Sequence, residues 1–283
     1  MRAAITTEVR VRLSPAQAAR YARELLGADA DRGPLIPNLL SLIESNSSDP
    51  VPVTILQLPA GIAGAYLRRE GRPFIFVSSS TYPVRRRFTI AHEFGHHVLG
   101  HAPAIDTDSD LGDQSTQREI EANAFAAEFL APANAVRAWC EAHAQEISLS
   151  TVVKLGHFFG VSAEAARYRL EAAGVLSGPG RAKALDDQIR AEEHKTLAKY
   201  LGLSDGPGRG GRDDVAAVEL GGRRGPEIVT EKILRILAAG LMSEERVAEL
   251  LDIDVEHVVS LLDERGLSRP TPVLETSGDD SWD

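Results

Sequence analysis

Residues 89–100 read TIAHEFGHHVLG, and the fold of the surrounding chain can be worked out from this stretch. Within it, His92, Glu93 and His96 form the spacing H-E-x-x-H. Positions i and i+4 of an α-helix project from one face, so both imidazoles can bind a single metal ion. Glu93 points to the side of that face, where its carboxylate can take a proton from a water on the metal. The spacing therefore predicts a metal site suited to the hydrolysis of peptide bonds.

The sequence around the motif predicts a helix preceded by a strand. The helix is predicted over residues 89–99, with Thr89 as its N-cap, because the segment carries an apolar stripe. The stripe is formed by Ile90, Phe94 and Val98. Gly95 costs about 1 kcal/mol relative to Ala inside a helix, so we expect another backbone to pack closely there. The apolar run at 73–78 is bounded by polar turn residues and predicts a short β-strand.

A site built on two histidines needs a third protein ligand, which leaves one position for water. The extended pattern H-E-x-x-H-x-x-G-x-x-H fails here, because Leu99 stands in place of its Gly and Ala102 in place of its last His. A glutamate from a second helix is the alternative, and residues 117–130 are rich in strong helix formers. Glu119 and Glu121 both lie in its first turns, and helical periodicity alone does not choose between them.

Two motifs together resemble those of the ImmA/IrrE metallopeptidases. The first is RRRFTIAHEFGHHVLGH at 85–101, and the second is EIEANAFAAEFLAP at 119–132. The resemblance covers residues 35–175. It implies an α+β, mainly α fold with a zincin-like metallopeptidase core, in which a small twisted sheet packs beside the HExxH helix. A helix-turn-helix-like helical subdomain is expected to follow the core, and a C-terminal helical extension lies outside the match.

The resemblance also implies a role for each residue of the site. The third metal ligand of the family is the Glu that precedes Ala-Asn, which in this chain is Glu121. His92, His96 and Glu121 are therefore expected to hold the metal, with Glu93 as the catalytic general base. The expected metal is Zn²⁺, and Mn²⁺ is a possible alternative because imidazole and carboxylate ligands accept both.

The function implied by the resemblance is that of a cytoplasmic zinc endopeptidase. Its substrate would be a partner protein, a helix-turn-helix transcriptional repressor, cut to switch gene expression under stress or during mobile-element induction. The strand at 74–77 is a candidate to pair with an extended substrate segment. The alternative is a non-catalytic or partner-dependent regulator, either a repressor-binding or DNA-binding protein or a toxin–antitoxin component, with a structural metal site.

Composition limits the other partners of the chain. The net charge of −10 argues against generic binding to the phosphates of nucleic acid. Arg167 and Arg169, on the second helix of the first predicted helix pair, could contact bases and phosphates. Packing or protein contact is nevertheless the expected role of both predicted helix pairs, and direct DNA binding is the less favoured alternative. The sequence has no run of 18 apolar residues and no apolar segment of a signal peptide at its start, so we expect a cytoplasmic protein without a membrane span. Nothing in the sequence indicates the oligomeric state.

Shifts in composition predict four segments. Residues 1–144 are predicted to form the zincin-like metallopeptidase domain, and residues 145–178 a helix-turn-helix-like subdomain with two short helices. Residues 179–225 are predicted to be a linker that contains a glycine- and arginine-rich stretch. Residues 226–283 return to helical periodicity and end in an acidic tail, which predicts a C-terminal helical region.

Overall fold

The computed structural model of the chain describes residues 13–28, 36, 38–45, 50–107, 116–203, 215 and 223–268. The chain divides into two compact units, residues 1–224 and residues 225–283. Most of the predicted glycine- and arginine-rich stretch and the predicted acidic tail lie outside the described residues. Among the described helices, none combines the length and apolar content needed to cross a membrane.

The first unit is mainly helical. Its helices are, in chain order, α1 Pro15–Leu26, α2 Leu39–Glu44, α3 Pro83–Leu99, α4 Gln117–Leu130, α5 Ala133–His143, α6 Leu149–Phe159, α7 Ala163–Ala172, α8 Pro179–Arg190 and α9 Glu193–Tyr200. Its strands are β1 Val53–Leu56, β2 Ile62–Arg69, β3 Arg72–Ser78 and β4 Ala104–Thr107. The strand predicted at 73–78 and the helix predicted at 117–130 are both confirmed.

The second unit contains three described helices, α10 Glu227–Ala238, α11 Glu244–Leu251 and α12 Val255–Glu264. Their apolar faces form a small core of their own, in which Leu234, Val247 and Val258 are fully buried. The helical periodicity predicted for this region is therefore confirmed for the part of the region that the structure describes.

The described strands form one sheet in the order β1-β3-β2-β4. β1 runs parallel to β3, and β2 is antiparallel to both β3 and β4. Because β3 lies between β1 and β2, its backbone groups are already paired on both edges. The prediction that residues 74–77 pair with an extended substrate is therefore wrong. The outer edge of β1 is also used, since Ile55 and Arg224 exchange two backbone hydrogen bonds of 2.9 and 2.8 Å.

Helix α3 begins six residues before the predicted start. Pro83 occupies a first-turn position, where the missing N–H of proline costs no hydrogen bond. Thr89 is thus inside the helix instead of capping it, and its hydroxyl donates to Arg85 O at 3.1 Å. The helix ends at Gly100, whose φ of 74° is in the left-handed region that favours glycine.

Two of the three consecutive arginines at 85–87, Arg86 and Arg87, anchor the first turns of α3. Arg86 Nε donates to Thr81 O at 2.9 Å, and Arg87 Nη2 donates to Ile36 O at 2.8 Å. Both guanidinium groups are buried. The positive charge that the sequence concentrates here therefore serves to hold the helix in place inside the protein.

Helix α3 packs closely against α4. A Cβ on Gly95 would lie 3.0 Å from Cδ1 of Phe125, which is tighter than an ordinary contact between side chains. The partner of Gly95 is thus an aromatic ring, where the sequence predicted a second backbone. The rings of Phe94, Phe125 and Phe129 pack together beside it, with centroids 5.5 to 5.9 Å apart. This close packing brings the motif on α3 opposite the first turns of α4.

The structure of residues 179–200 differs from the predicted domain organisation. This segment was predicted to begin a linker, but it forms α8 and α9. Ala182, Leu185 and Ile189 of α8 belong to the same apolar core as the buried residues of α3 and α4. Their spacing of three and four residues matches one face of a helix, which explains why the segment packs instead of remaining extended.

A buried carboxylate ties the helix-turn-helix-like pair to the rest of the first unit. Glu128 of α4 accepts hydrogen bonds from Arg20 of α1 at 2.8 Å and from Arg169 of α7 at 2.5 Å. Arg169 Nε also donates to Ala131 O at 2.7 Å. Arg167 pairs with Asp186 of α8 at 2.5 Å. Both arginines on α7 are buried in contacts within the protein, which agrees with packing as the expected role of the helix pair.

We expect Arg169→Met to lower the free energy of unfolding by about 3 kcal/mol, because it leaves the buried Glu128 carboxylate with less compensation. Equilibrium unfolding in urea measures this difference. The matched control is Arg190→Met, because the Arg190–Asp187 pair lies on the surface, where ion pairs contribute little. Equal destabilisation by the two variants would contradict a structural role for Arg169.

Candidate metal centre

Three buried side chains bring one ligand atom each to a single point. His92 Nε2 lies 3.0 Å from His96 Nε2, and Glu119 Oε2 lies 3.1 and 3.5 Å from these two nitrogens. A tetrahedral zinc site with bonds of about 2.0–2.1 Å requires its ligand atoms to be about 3.4 Å apart. The two histidines are fully buried and Glu119 is 4% exposed, so the three groups meet away from bulk water.

This donor set fits a divalent metal on chemical grounds. Two imidazole nitrogens and a carboxylate oxygen are the ligands of catalytic zinc sites, which keep the fourth position for water or substrate. Within the described residues, this is the one group of His, Cys, Asp and Glu side chains with the spacing of a metal site.

The tautomer of His92 agrees with a role as ligand. Its Nδ1 lies 3.0 Å from Asn123 Oδ1 on α4. An amide oxygen only accepts hydrogen bonds, so Nδ1 carries the proton and Nε2 presents its lone pair to the site. This role of Asn123 was not predicted from the sequence, although Asn123 lies four residues after Glu119 and this spacing puts both side chains on one face of α4.

The two oxygens of Glu119 have different partners. Oε1 accepts from Arg118 Nε at 2.9 Å, while Oε2 faces the two histidines. The backbone N–H of Glu119 donates to the hydroxyl of the N-cap Thr116 at 3.3 Å. The first turn of α4 therefore orients the carboxylate to offer one oxygen to the site.

The structure brings Glu119 to the two histidines, and not the predicted ligand Glu121. Residues two apart on a helix point in nearly opposite directions, so Glu119 and Glu121 do not face the same site. Glu121 is one third exposed. Its Oε1 accepts from Gln117 Nε2 at 2.8 Å, and its Oε2 lies 3.1 Å from His101 Nε2.

His101 connects Glu121 to the site. Its Nδ1 lies 2.8 Å from Nδ1 of the ligand His96. Burial lowers the pKa of His101, against the hydrogen bond to Glu121, which raises it. The pKa of Glu121 is also lowered, chiefly by the hydrogen bond from Gln117.

Glu93 lies where the sequence predicted the general base, buried on α3 next to His92. Strand β2 comes close to it at Gly64. A Cβ on Gly64 would overlap Glu93 Oε1 and lie 2.7 Å from Cγ2 of Thr89. Only glycine therefore leaves room on β2 for the Glu93 carboxylate in its observed position.

We expect Gly64→Ala to lower peptide cleavage by about tenfold to a hundredfold, because a displacement of a reacting group by about 1 Å costs that much. The affinity for Zn²⁺ should change little, since no metal ligand lies against Gly64. Titration with Zn²⁺ and a cleavage assay on the same samples separate the two effects. The control is Gly180→Ala, where a new Cβ meets nothing within 4 Å.

A buried group of two histidines and a carboxylate, with a second glutamate beside it on the HExxH helix, is an arrangement that metal-dependent peptidases use. Residues 50–171 match the family model of the IrrE N-terminal-like domain, Peptidase_M78. This match confirms the resemblance to the ImmA/IrrE metallopeptidases over these residues, and the predicted α+β, mainly α fold is also confirmed. A search of curated proteins found no match.

Proposed function

We propose that the chain is a zinc-dependent endopeptidase, with His92, His96 and Glu119 as metal ligands and Glu93 as general base. The observation that carries this proposal is the meeting of three ligand atoms within 3.5 Å of one another in a buried site. A metal site with three protein ligands keeps a position for water, whereas purely structural zinc sites are usually closed by four.

The residues of the chain divide the chemistry between them. When bound, a divalent metal lowers the pKa of its water to about 7 and polarises the scissile carbonyl. Glu93 takes the proton of the attacking water and delivers it to the leaving amine. Asn123 holds His92 in the tautomer that binds metal. Arg118 binds Oε1 of Glu119, which leaves Oε2 to face the metal position. Burial of the site strengthens each of these interactions by excluding water.

The proposed substrate is a helix-turn-helix transcriptional repressor, cut in the cytoplasm to switch gene expression under stress or mobile-element induction. The support for this substrate is the family resemblance. Among the described residues β4 pairs with β2 alone. An extended segment of the repressor could therefore add to the outer edge of β4 through main-chain hydrogen bonds.

The test uses the purified full chain loaded with Zn²⁺ and, separately, with Mn²⁺. Each sample is incubated with helix-turn-helix repressors encoded beside it, and fragments are identified by mass. We expect one new pair of fragments, lost after chelation and restored by adding the metal back. Intact repressors in every metal-loaded sample would reject these proteins as substrates.

The rival function, a DNA-binding regulator with a structural metal, has less support. On the second helix of the helix-turn-helix-like pair, Arg167 and Arg169 are 6% and 8% exposed and bind carboxylates of the protein. No specific observation favours a toxin–antitoxin role over the peptidase.

A further inference from the structure

We propose that His101 and Glu121 are positioning residues, which fix the tautomer and orientation of the ligand His96 through a chain of hydrogen bonds. The inference rests on the metal site of the proposed function, but it does not depend on the identity of the substrate. It gives Glu121 a role in supporting the ligand His96 through His101.

Each proton in this chain is determined by the group before it. The Glu121 carboxylate only accepts, so the 3.1 Å contact requires a proton on His101 Nε2. A neutral imidazole with that proton has a lone pair on Nδ1, which accepts from His96 Nδ1 across 2.8 Å. His96 then directs the lone pair of Nε2 at the point that Glu119 Oε2 and His92 Nε2 also face, which is the tautomer that a metal ligand needs.

Local structure places His101 for this role. The left-handed turn at Gly100 reverses the chain, and His101 N donates to His96 O at 2.9 Å. The imidazole of His101 consequently lies edge-on to that of His96, with ring centroids 5.0 Å apart. Gln117, one turn before Glu121 on α4, holds the other carboxylate oxygen at 2.8 Å and so directs Oε2 at His101.

The two metal-binding histidines are therefore supported differently. His92 donates to the neutral amide of Asn123, whereas the chain from His96 ends on a carboxylate. A carboxylate behind an imidazole raises its basicity and orients its ring, and loss of such support typically costs about 10-fold to 100-fold in metal affinity. We therefore expect the metal affinity of the site to depend on His101 and Glu121, which support His96 although neither binds the metal.

The test measures Zn²⁺ affinity of the full chain by competition with a chelator, without substrate. We expect His101→Leu and Glu121→Ala each to weaken Zn²⁺ binding by about 10-fold to 100-fold. The double variant should bind Zn²⁺ no more weakly than His101→Leu does, because the effects of residues in one hydrogen-bonded chain on affinity are not additive. The control is Glu141→Ala, which removes an exposed carboxylate from α5, and it should bind Zn²⁺ as wild type does.

A conservative variant separates positioning from general damage. The amide of glutamine can accept from His96 and donate to Glu121, so His101→Gln should recover most of the affinity that His101→Leu loses. The ¹⁵N resonances of the His96 ring in the metal-free protein should report a proton on Nδ1 in wild type and a mixture of tautomers in His101→Leu.

Two results would overturn the proposal. Unchanged Zn²⁺ affinity in both His101→Leu and Glu121→Ala would show that the chain of hydrogen bonds does not support the site. A Co²⁺ absorption spectrum that changes as much in Glu121→Ala as in Glu119→Ala would instead show that Glu121 binds the metal directly. Normal metal binding without cleavage of any repressor would count against the proposed function and leave the roles of His101 and Glu121 standing.

Discussion

Glu93→Gln is expected to bind Zn²⁺ with wild-type affinity and to cleave its substrate about 10²-fold to 10⁴-fold more slowly. The amide of glutamine has nearly the shape of the carboxylate, so the packing beside Gly64 and Thr89 is retained. It cannot take a proton from the attacking water, and this is the step that the variant removes. Cleavage rates measured by mass spectrometry, with metal content determined on the same samples, check both halves of the expectation.

The Glu93→Gln result also distinguishes the classes of function. A regulator that uses the metal only to hold its fold would act normally with Gln at this position. If the variant relieves repression in cells as wild type does, peptide cleavage is not the activity of the protein. Thermal unfolding of the Zn²⁺-loaded variant is the necessary control, since a destabilised protein would lose activity for another reason.

The local parts of the site could be predicted from sequence because they depend on helical spacing alone. His92, Glu93 and His96 share one turn of α3, and the structure brings the two imidazoles together as the spacing requires. The start of α3 was harder to predict, because Thr89 and Pro83 are both plausible at a helix N-terminus. Tertiary anchoring of the preceding arginines decided in favour of the longer helix.

The third ligand shows where periodicity is ambiguous. When the apolar face of α4 is taken from Phe125, Phe129 and Leu130, Glu119 and Glu121 lie about 70° and 90° from its centre, which is too similar to decide. The structure also buries Ala122 and Ala126. Including them shifts the angles to about 50° and 110°, in favour of Glu119. Alanine occurs on both exposed and buried faces, so this signal was present in the sequence but weak.

Contacts between distant segments could not be predicted. Arg167 and Arg169 have the position of base-reading residues on the second helix of the pair. Helical spacing indicates one partner, Glu171 four residues after Arg167, but the sequence offers no sign of the distant partners. These are Asp186 on a later helix for Arg167 and Glu128, 41 residues earlier, for Arg169. The same limitation explains why residues 179–200 were predicted to start a linker, since their apolar face is narrow and its partner surface is remote in sequence.

Glu119→Ala is expected to weaken Zn²⁺ binding by about 10²-fold to 10³-fold. Expressed as free energy, this loss is about a quarter of the 10–16 kcal/mol typical of zinc binding to a four-ligand site. Glu121→Ala should weaken it less and leave the ligand set unchanged. Co²⁺ makes the comparison direct, because its visible absorption depends on the number and geometry of its ligands. The spectrum should change strongly in Glu119→Ala, which loses a ligand, and much less in Glu121→Ala.

The opposite pattern would restore the ligand that the family motif implies. If the Co²⁺ spectrum changes only in Glu121→Ala, α4 must rotate when metal binds, and the contacts of Glu119 with His92 and His96 belong to the metal-free protein alone. Such a rotation would have to break the hydrogen bonds of Glu121 to His101 and Gln117 and move Asn123 away from His92. It would also pull Phe125 off Gly95, where the two helices are in their closest contact. Because these contacts are all lost together, we expect the metal to bind to the arrangement that the structure already has, with Glu119 as its third ligand.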